Sequence, residues 1–210
     1  RCMQMANKSD FVFISVMSEV QQVKIAFYGN AEVGKTSLIN RYLSGEFTHN
    51  YLETLGTGFR EKEIVLQGQK IMLCLWDIGG EEQFQQMIPL SAEGAHILLF
   101  LFDLTQKESL AGIKNWYKNV RKINQHAIAF LVGAKYDLFE LKPEQERQEV
   151  IQYARKYAKA MSNAPLIFTS SSKGTNINRL FKFTIIKAFG LQNNIEACSD
   201  QQQPLFEFIQ

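Results

Sequence analysis

Between a strand-like run, Val23–Tyr28, and a helix-like run that resumes at Ser37 lies the stretch Gly29-Asn30-Ala31-Glu32-Val33-Gly34-Lys35-Thr36. No other segment limits the fold as tightly. It fits the pattern G-x-x-x-x-G-K-[ST], in which glycines let the backbone curl until successive N–H groups point inward at an anion. Asn30 to Gly34 supply that cradle, Lys35 reaches the outer phosphates, and the Thr36 hydroxyl is a ligand for Mg²⁺. The start of the following helix, with Ser37 in its first turn, adds positive potential. The bland alternative is a Gly-rich turn that carries a lysine; its place between a strand and a helix favours phosphate.

The rest of the chain says what surrounds the loop. Phe59–Leu66 and Lys70–Trp76 flank the turn Gln67-Gly68-Gln69, a hairpin signature. Ala95–Leu104, Ala127–Ala134 and Pro165–Ser170 are continuous apolar runs, as expected of strands buried on both faces. Between them the period becomes helical: Leu110, Ile113, Tyr117 and Val120 share one face, and Ile177, Leu180, Phe181, Thr184 and Ile185 share another. This alternation predicts an α/β fold, a mainly parallel sheet covered by helices on both faces. Ligands of such sheets sit outside the carboxyl ends of the strands, and each motif discussed below falls at such an end.

Composition narrows the partners. At 210 residues and 46% hydrophobic, the chain suits one core. We read residues 21–191 as that domain, 1–20 as an N-terminal extension, either disordered or an added strand, and 192–210 as a C-terminal tail. The net charge of +2 is spread without a basic stripe, so no nucleic-acid partner is expected. Cys2, Cys74 and Cys198 lack metal-ligand spacing, which favours reduced thiols in a cytoplasmic protein. Phe11–Met17 falls short of the roughly 20 residues that span a bilayer. A prenylation signal would need cysteine where Glu207 stands, so no direct lipid anchor by that route is expected.

Four further motifs follow the loop in a fixed order, and through them the chain resembles the Ras superfamily of small GTPases over roughly 23–189. Through "WDIGGEEQF", "MIPL", "LLFLFDLT", "WY" and "GAKYD" it is most similar to the septum-promoting small GTPases of septation and mitotic exit. The resemblance implies a P-loop NTPase with a six-stranded sheet and one antiparallel edge, GTP/GDP and Mg²⁺ as cofactors, and a switch cycle. It implies effector, exchange-factor and GTPase-activating proteins as partners, a monomer, and recruitment to the spindle pole or other structures through proteins.

Residue by residue, the resemblance places Phe47 edge-on to guanine, and gives Thr54 both Mg²⁺ and the γ-phosphate. Tyr51 is placed to close over the phosphates, Asp77 to hold Mg²⁺ through water, and the Gly80 N–H to bind the γ-phosphate. Asp137 accepts the N1 and N2 hydrogens of guanine, which adenine does not offer in that arrangement. Lys135 and Lys173 cover the two faces of the base, Ser172 reads its O6 through a backbone N–H, and Ser171 steadies Asp137. Lys35, Thr54, Gly80 and Glu81 thus form the expected catalytic set.

Two positions depart from the family pattern. Ala134 stands where most members carry an asparagine that ties the phosphate loop to the base-reading loop, which predicts weaker guanine binding or faster exchange. Glu81 stands in place of the glutamine that orients the attacking water. An ionised glutamate only accepts hydrogen bonds and adds negative charge beside a polyanion, so slow intrinsic hydrolysis is expected. Gln83 lies two positions too late to substitute without rearrangement. These departures keep open a second reading, a nucleotide-binding interaction module with little or no hydrolysis. A small-molecule kinase is disfavoured by Asp137 and by the lack of recognisable lid arginines.

Overall fold

The computed structural model describes residues 21–48, 54–191 and 205–208; the readings for residues 1–20, for Tyr51 and for most of the tail fall outside them. Among these residues seven strands form, and helices connect most of them. In chain order the strands are β1 (Gln21–Tyr28), β2 (Thr57–Leu66), β3 (Gln69–Ile78), β4 (Ile97–Asp103), β5 (Ile128–Ala134), β6 (Leu166–Phe168) and β7 (Phe206–Glu207). The helices are α1 (Lys35–Ser44), α2 (Ile88–Ala92), α3 (Lys107–Ile123), α4 (Tyr136–Phe139), α5 (Glu144–Ala160) and α6 (Ile177–Ala188), with a 3-10 turn over Glu82–Met87.

The sheet order is β2-β3-β1-β4-β5-β6-β7. Pairings β3·β1, β1·β4, β4·β5 and β5·β6 are parallel, and only the two edges, β2 and β7, run antiparallel. Strand order reverses at β1, which leads outward to β3 on one side and to β4 on the other. That reversal opens a crevice at the carboxyl end of β1, where the phosphate loop begins.

All seven residues of β4 are buried, as its unbroken apolar sequence requires of a central strand covered on both sides. On one face α2, α3 and α5 contribute Ile88, Ile113, Trp116, Val120, Ala154 and Ala158 to a core; on the other, α1 and α6 contribute Leu38, Ile39, Leu180, Phe181 and Ile185. The hairpin turn is shorter than the three residues read from sequence. Leu66 pairs with Gln69, so Gln67 and Gly68 alone make the bend, with φ of 50° and 82°. Two positive φ angles match the twist of the flanking strands, and glycine takes one of them without a Cβ penalty.

Among the described residues the sheet has seven strands where six were expected. The seventh is part of the tail, whose residues Leu205 and Phe206 are buried against β6. Two residues of ladder carry too little alternation to register as a strand in sequence. Among the described residues no helix is long and apolar enough to cross a membrane.

Candidate functional site

The phosphate loop closes because its backbone visits conformations most residues avoid. Gly29 has φ 146°, and a Cβ there would lie 2.2 Å from the Leu101 carbonyl oxygen. Gly34, at φ 99°, turns the chain into α1 and provides no side-chain cap. The first N–H groups of α1 thus face the crevice uncapped and suited to an anion. Lys35 is buried at the mouth, its Nζ donating to the carbonyls of Gly29 and Asn30 at 2.8 Å each. Burial lowers its pKa to about 8 against the opposing pull of Asp77. An ammonium held there by two neutral carbonyls is under-compensated, and polyanionic phosphate supplies what is missing.

Three oxygen-bearing side chains from distant segments converge beside it. Thr36 Oγ1, at the start of α1, donates to Asp77 Oδ2 at 2.5 Å and lies 2.8 Å from Thr54 Oγ1, which is 3.4 Å from the same carboxylate oxygen. Asp77 is 5% exposed, and its Oδ1 is buried with no hydrogen-bond partner among the described residues. Burial raises its pKa, while bonds from Thr36, the charge of Lys35 and the bond from Thr54 oppose the rise. Two hydroxyls and a carboxylate with an orphaned buried oxygen are hard donors of the kind Mg²⁺ takes, so these residues fit the ion. Bound there, Mg²⁺ would neutralise charge on the phosphate oxygens.

Beyond β3, Gly79 donates to the Gly56 carbonyl at 2.8 Å, tying the segment after Asp77 to the one that carries Thr54. Gly80 lies so close to the phosphate loop that a Cβ on it would fall 2.1 Å from the Ala31 nitrogen and 2.2 Å from the Asn30 carbonyl carbon. Glu81 and Ala31 are exposed, and Glu81 Oε2 accepts from Gln83 Nε2 at 2.6 Å. Gln83 therefore folds back on the carboxylate instead of replacing it. Asn30 has a role that its place in the loop did not suggest. Its Oδ1 accepts from the buried Trp116 Nε1 at 3.1 Å, and Gly112 leaves the room, since a Cβ there would lie 2.7 Å from both ends of the amide.

The base-reading loops meet at the ends of β5 and β6. Lys135 has φ 61°, and its Nζ pairs at 2.8 Å with Asp103, which is 2% exposed. Asp137 Oδ1 accepts from Ser170 Oγ at 2.6 Å, and Ser170 Oγ lies 3.0 Å from Ser172 Oγ. Partial burial raises the Asp137 pKa, but bonds from Ser170, Ser172 and its own backbone N–H, with the charge of Lys173, hold it below the usual carboxylate range. An ionised acceptor at neutral pH is what guanine N1–H and N2–H require.

The structure differs from the sequence reading of the base loops at one hydroxyl. The hydroxyl that steadies Asp137 belongs to Ser170, not Ser171. Three consecutive serines gave the sequence no means of choosing. The choice is made by β6, because Thr169 N–H donates to Gly133 at 2.7 Å and leaves Ser170 as the next residue. Lys173, read from sequence as the other cover of the base, pairs with Glu140 at 2.7 Å. Phe47 is half-buried in the segment between α1 and Thr54.

Ala134 is buried, and a Cβ on Gly34 would come within 3.7 Å of its own Cβ. Position 134 thus faces the phosphate loop. Ala134→Asn should restore a bond between the loops and slow release of fluorescently labelled GDP about tenfold, roughly the worth of one hydrogen bond. An unchanged release rate would show that this position does not join them.

Comparison with known proteins agrees with the geometry. The profile of the Ras family matches residues 24–189. The chain belongs to the Ras family. As a Ras-family small GTPase it binds GTP and GDP with Mg²⁺ and hydrolyses GTP. It is 37% identical over 187 residues, 89% of this chain and 94% of the relative, to Septum-promoting GTP-binding protein 1 of Schizosaccharomyces pombe. To Ras-related protein Rab-21 of Homo sapiens and of Bos taurus it is 33% identical over 159 residues, 75% of this chain and 68% and 69% of those proteins.

Proposed function

We propose that this Ras-family GTPase is a GTP/GDP switch in septation or mitotic exit, with intrinsic hydrolysis slow enough that an activating protein sets its turnover. The observation that carries the switch is the junction of Thr54 with Thr36 and Asp77. It ties a loop outside the sheet to the phosphate loop through donors suited to Mg²⁺, so nucleotide state controls the loop's position. The pathway assignment draws on the fission-yeast relative, whose name describes a septum-promoting protein.

In this reading Lys35 and the N–H groups of 30–34 hold the phosphates, with Thr36 and Ser37 opening the helix beneath them. The Gly80 N–H donates to the γ-phosphate, and Phe47 and Lys135 pack on the base while Asp137 reads its N1–H and N2–H. With Ser170 steadying Asp137, the O6-reading role moves one position, from the N–H of Ser172 to that of Ser171. Effector, exchange-factor and activating proteins engage the segments around Thr54 and Gly80, and an activating protein brings both an arginine and a glutamine. The exposed, small Ala31 leaves space for that arginine, worth about 10³–10⁵ in rate. The protein is a cytoplasmic monomer, recruited to the spindle pole or other structures through proteins.

A second reading, a binding module with little hydrolysis, is favoured by the Glu81–Gln83 pair, which occupies the Gln83 amide with a carboxylate. The nucleotide carried through purification and the release of phosphate over hours separate the two: GDP with turnover supports the switch, retained GTP the module. Glu81→Gln restores a side chain that both donates and accepts, so intrinsic hydrolysis should rise roughly 10- to 100-fold. Equal rates in the two proteins would remove position 81 from the water's surroundings.

A further inference from the structure

The strand that carries the base-reading loop is short. β6 has three residues, yet it runs directly into Thr169, whose N–H donates to Gly133 and whose carbonyl accepts from Tyr136, and into Ser170, which bonds Asp137. One edge of β6 is paired with β5; the other is covered by residues 205–208. Leu205 O accepts from the Phe168 N–H at 2.8 Å, two residues before Ser170, and Leu166 and Ile167 face Glu207 and Phe206.

A ladder this short holds only if its side chains are anchored, and here each is. Leu205 and Phe206, 5% and 0% exposed, enter opposite core clusters, as the alternation of a strand dictates. Phe206 packs on Phe183 with ring centroids 5.5 Å apart and lies beneath the Arg179 guanidinium, 4.3 Å from the ring. Phe208 packs on the same Phe183 at 4.9 Å. Both oxygens of Glu207 are taken by Arg155 of α5, Nε at 2.9 Å to one and a terminal nitrogen to the other. The recognised pattern is apolar, aromatic, acidic, aromatic, in extended form.

We propose that the outer edge of β6 is a strand-docking site whose resident ligand is the chain's own Leu205–Phe208, and that this occupancy holds Ser170 against Asp137 and slows release of guanine nucleotide. The inference rests on Asp137 being the guanine reader. It makes the tail an interaction element: a protein that captures the segment, or adds its own strand of that pattern to the edge, would hasten exchange without touching the phosphate loop.

The test compares the full chain with a chain lacking residues 205–210, each loaded with fluorescently labelled GDP and chased with excess GDP. Release from the shortened chain should be about tenfold faster, the scale of one lost hydrogen bond in the base loop, and a synthetic peptide of residues 203–210 should restore the slow rate. Glu207→Arg should also quicken release, and adding Arg155→Glu should reverse it by re-forming the pair. Because inosine lacks the N2 amine that Asp137 reads, the preference for GDP over IDP should fall in the shortened chain. Release at the full-chain rate in both the shortened chain and Glu207→Arg would overturn the proposal. So would equal acceleration for GDP and IDP without rescue by the peptide, which marks general loosening. A full chain that binds GDP no better than ADP would instead overturn the guanine reading itself, and this proposal with it.

Discussion

Asp137→Asn should lower affinity for GDP about 10²- to 10⁴-fold while raising affinity for xanthosine diphosphate. In the proposed reading, the carboxylate that Ser170 and Ser172 hold ionised accepts two purine hydrogens. Hydrogen bonds to a charged group are worth about 1.5–3 kcal/mol each, so losing two gives that range. Asparagine offers one oxygen and one NH₂, which opposes guanine N2–H₂ but complements the carbonyl that xanthine carries at that position. Ser170 can donate to either side chain, so the loop need not collapse. Titration with labelled GDP and its xanthine counterpart reads the result directly. Undiminished GDP affinity would remove Asp137 from the base, and with it the assignment of Lys135 and the serines.

Gly80→Ala should cut intrinsic GTP hydrolysis about 10²- to 10³-fold, the usual effect of losing one preorganised N–H donor to developing charge. The new methyl has nowhere to go. Its carbon would sit 2.1 Å from the Ala31 nitrogen and 2.2 Å from the Asn30 carbonyl carbon. Both belong to backbone, which cannot swing aside as a flexible side chain does, so the segment after β3 must lift off the phosphate loop. GDP affinity should stay within about threefold, because the Gly80 N–H is assigned to the γ-phosphate alone and the remaining contacts persist. Single-turnover phosphate release and a GDP titration on one preparation test both halves. A variant that hydrolyses GTP at the native rate would show that Gly80 does not need to approach the loop.

Several parts of this protein could be read before any coordinates. The phosphate loop follows from local rules alone: a glycine where φ reaches 146°, another at 99°, and a lysine on the first turn of a helix. The buried strands β4 and β5 declared themselves as unbroken apolar runs, and amphipathic periods marked α3 and α6. Asp77 stands near the end of β3 and Asp137 three residues beyond β5, on the side where such sheets bind ligands, which is what made them candidates in sequence.

Other features were not legible, because they depend on which neighbour a residue meets. Among Ser170, Ser171 and Ser172 the sequence offers chemically identical candidates; only the pairing of β6 with β5 turns the first toward Asp137. Lys135 and Lys173 each meet a carboxylate from elsewhere in the chain, Asp103 and Glu140, pairings that only the fold sets. Asn30 meets Trp116 across 86 positions of chain, a contact no local pattern encodes. The same holds for the orphaned oxygen of Asp77 and for the tail that becomes β7. By itself, then, the sequence determined the family, the order of the motifs and the chemistry of the phosphate loop, since these are written in short-range backbone preference and residue type. Tertiary structure alone decided which serine grips the aspartate, which carboxylates the two lysines meet, and where the last strand lies. Those outcomes are set by packing between segments far apart in the chain, where several partners are chemically acceptable and only one is near.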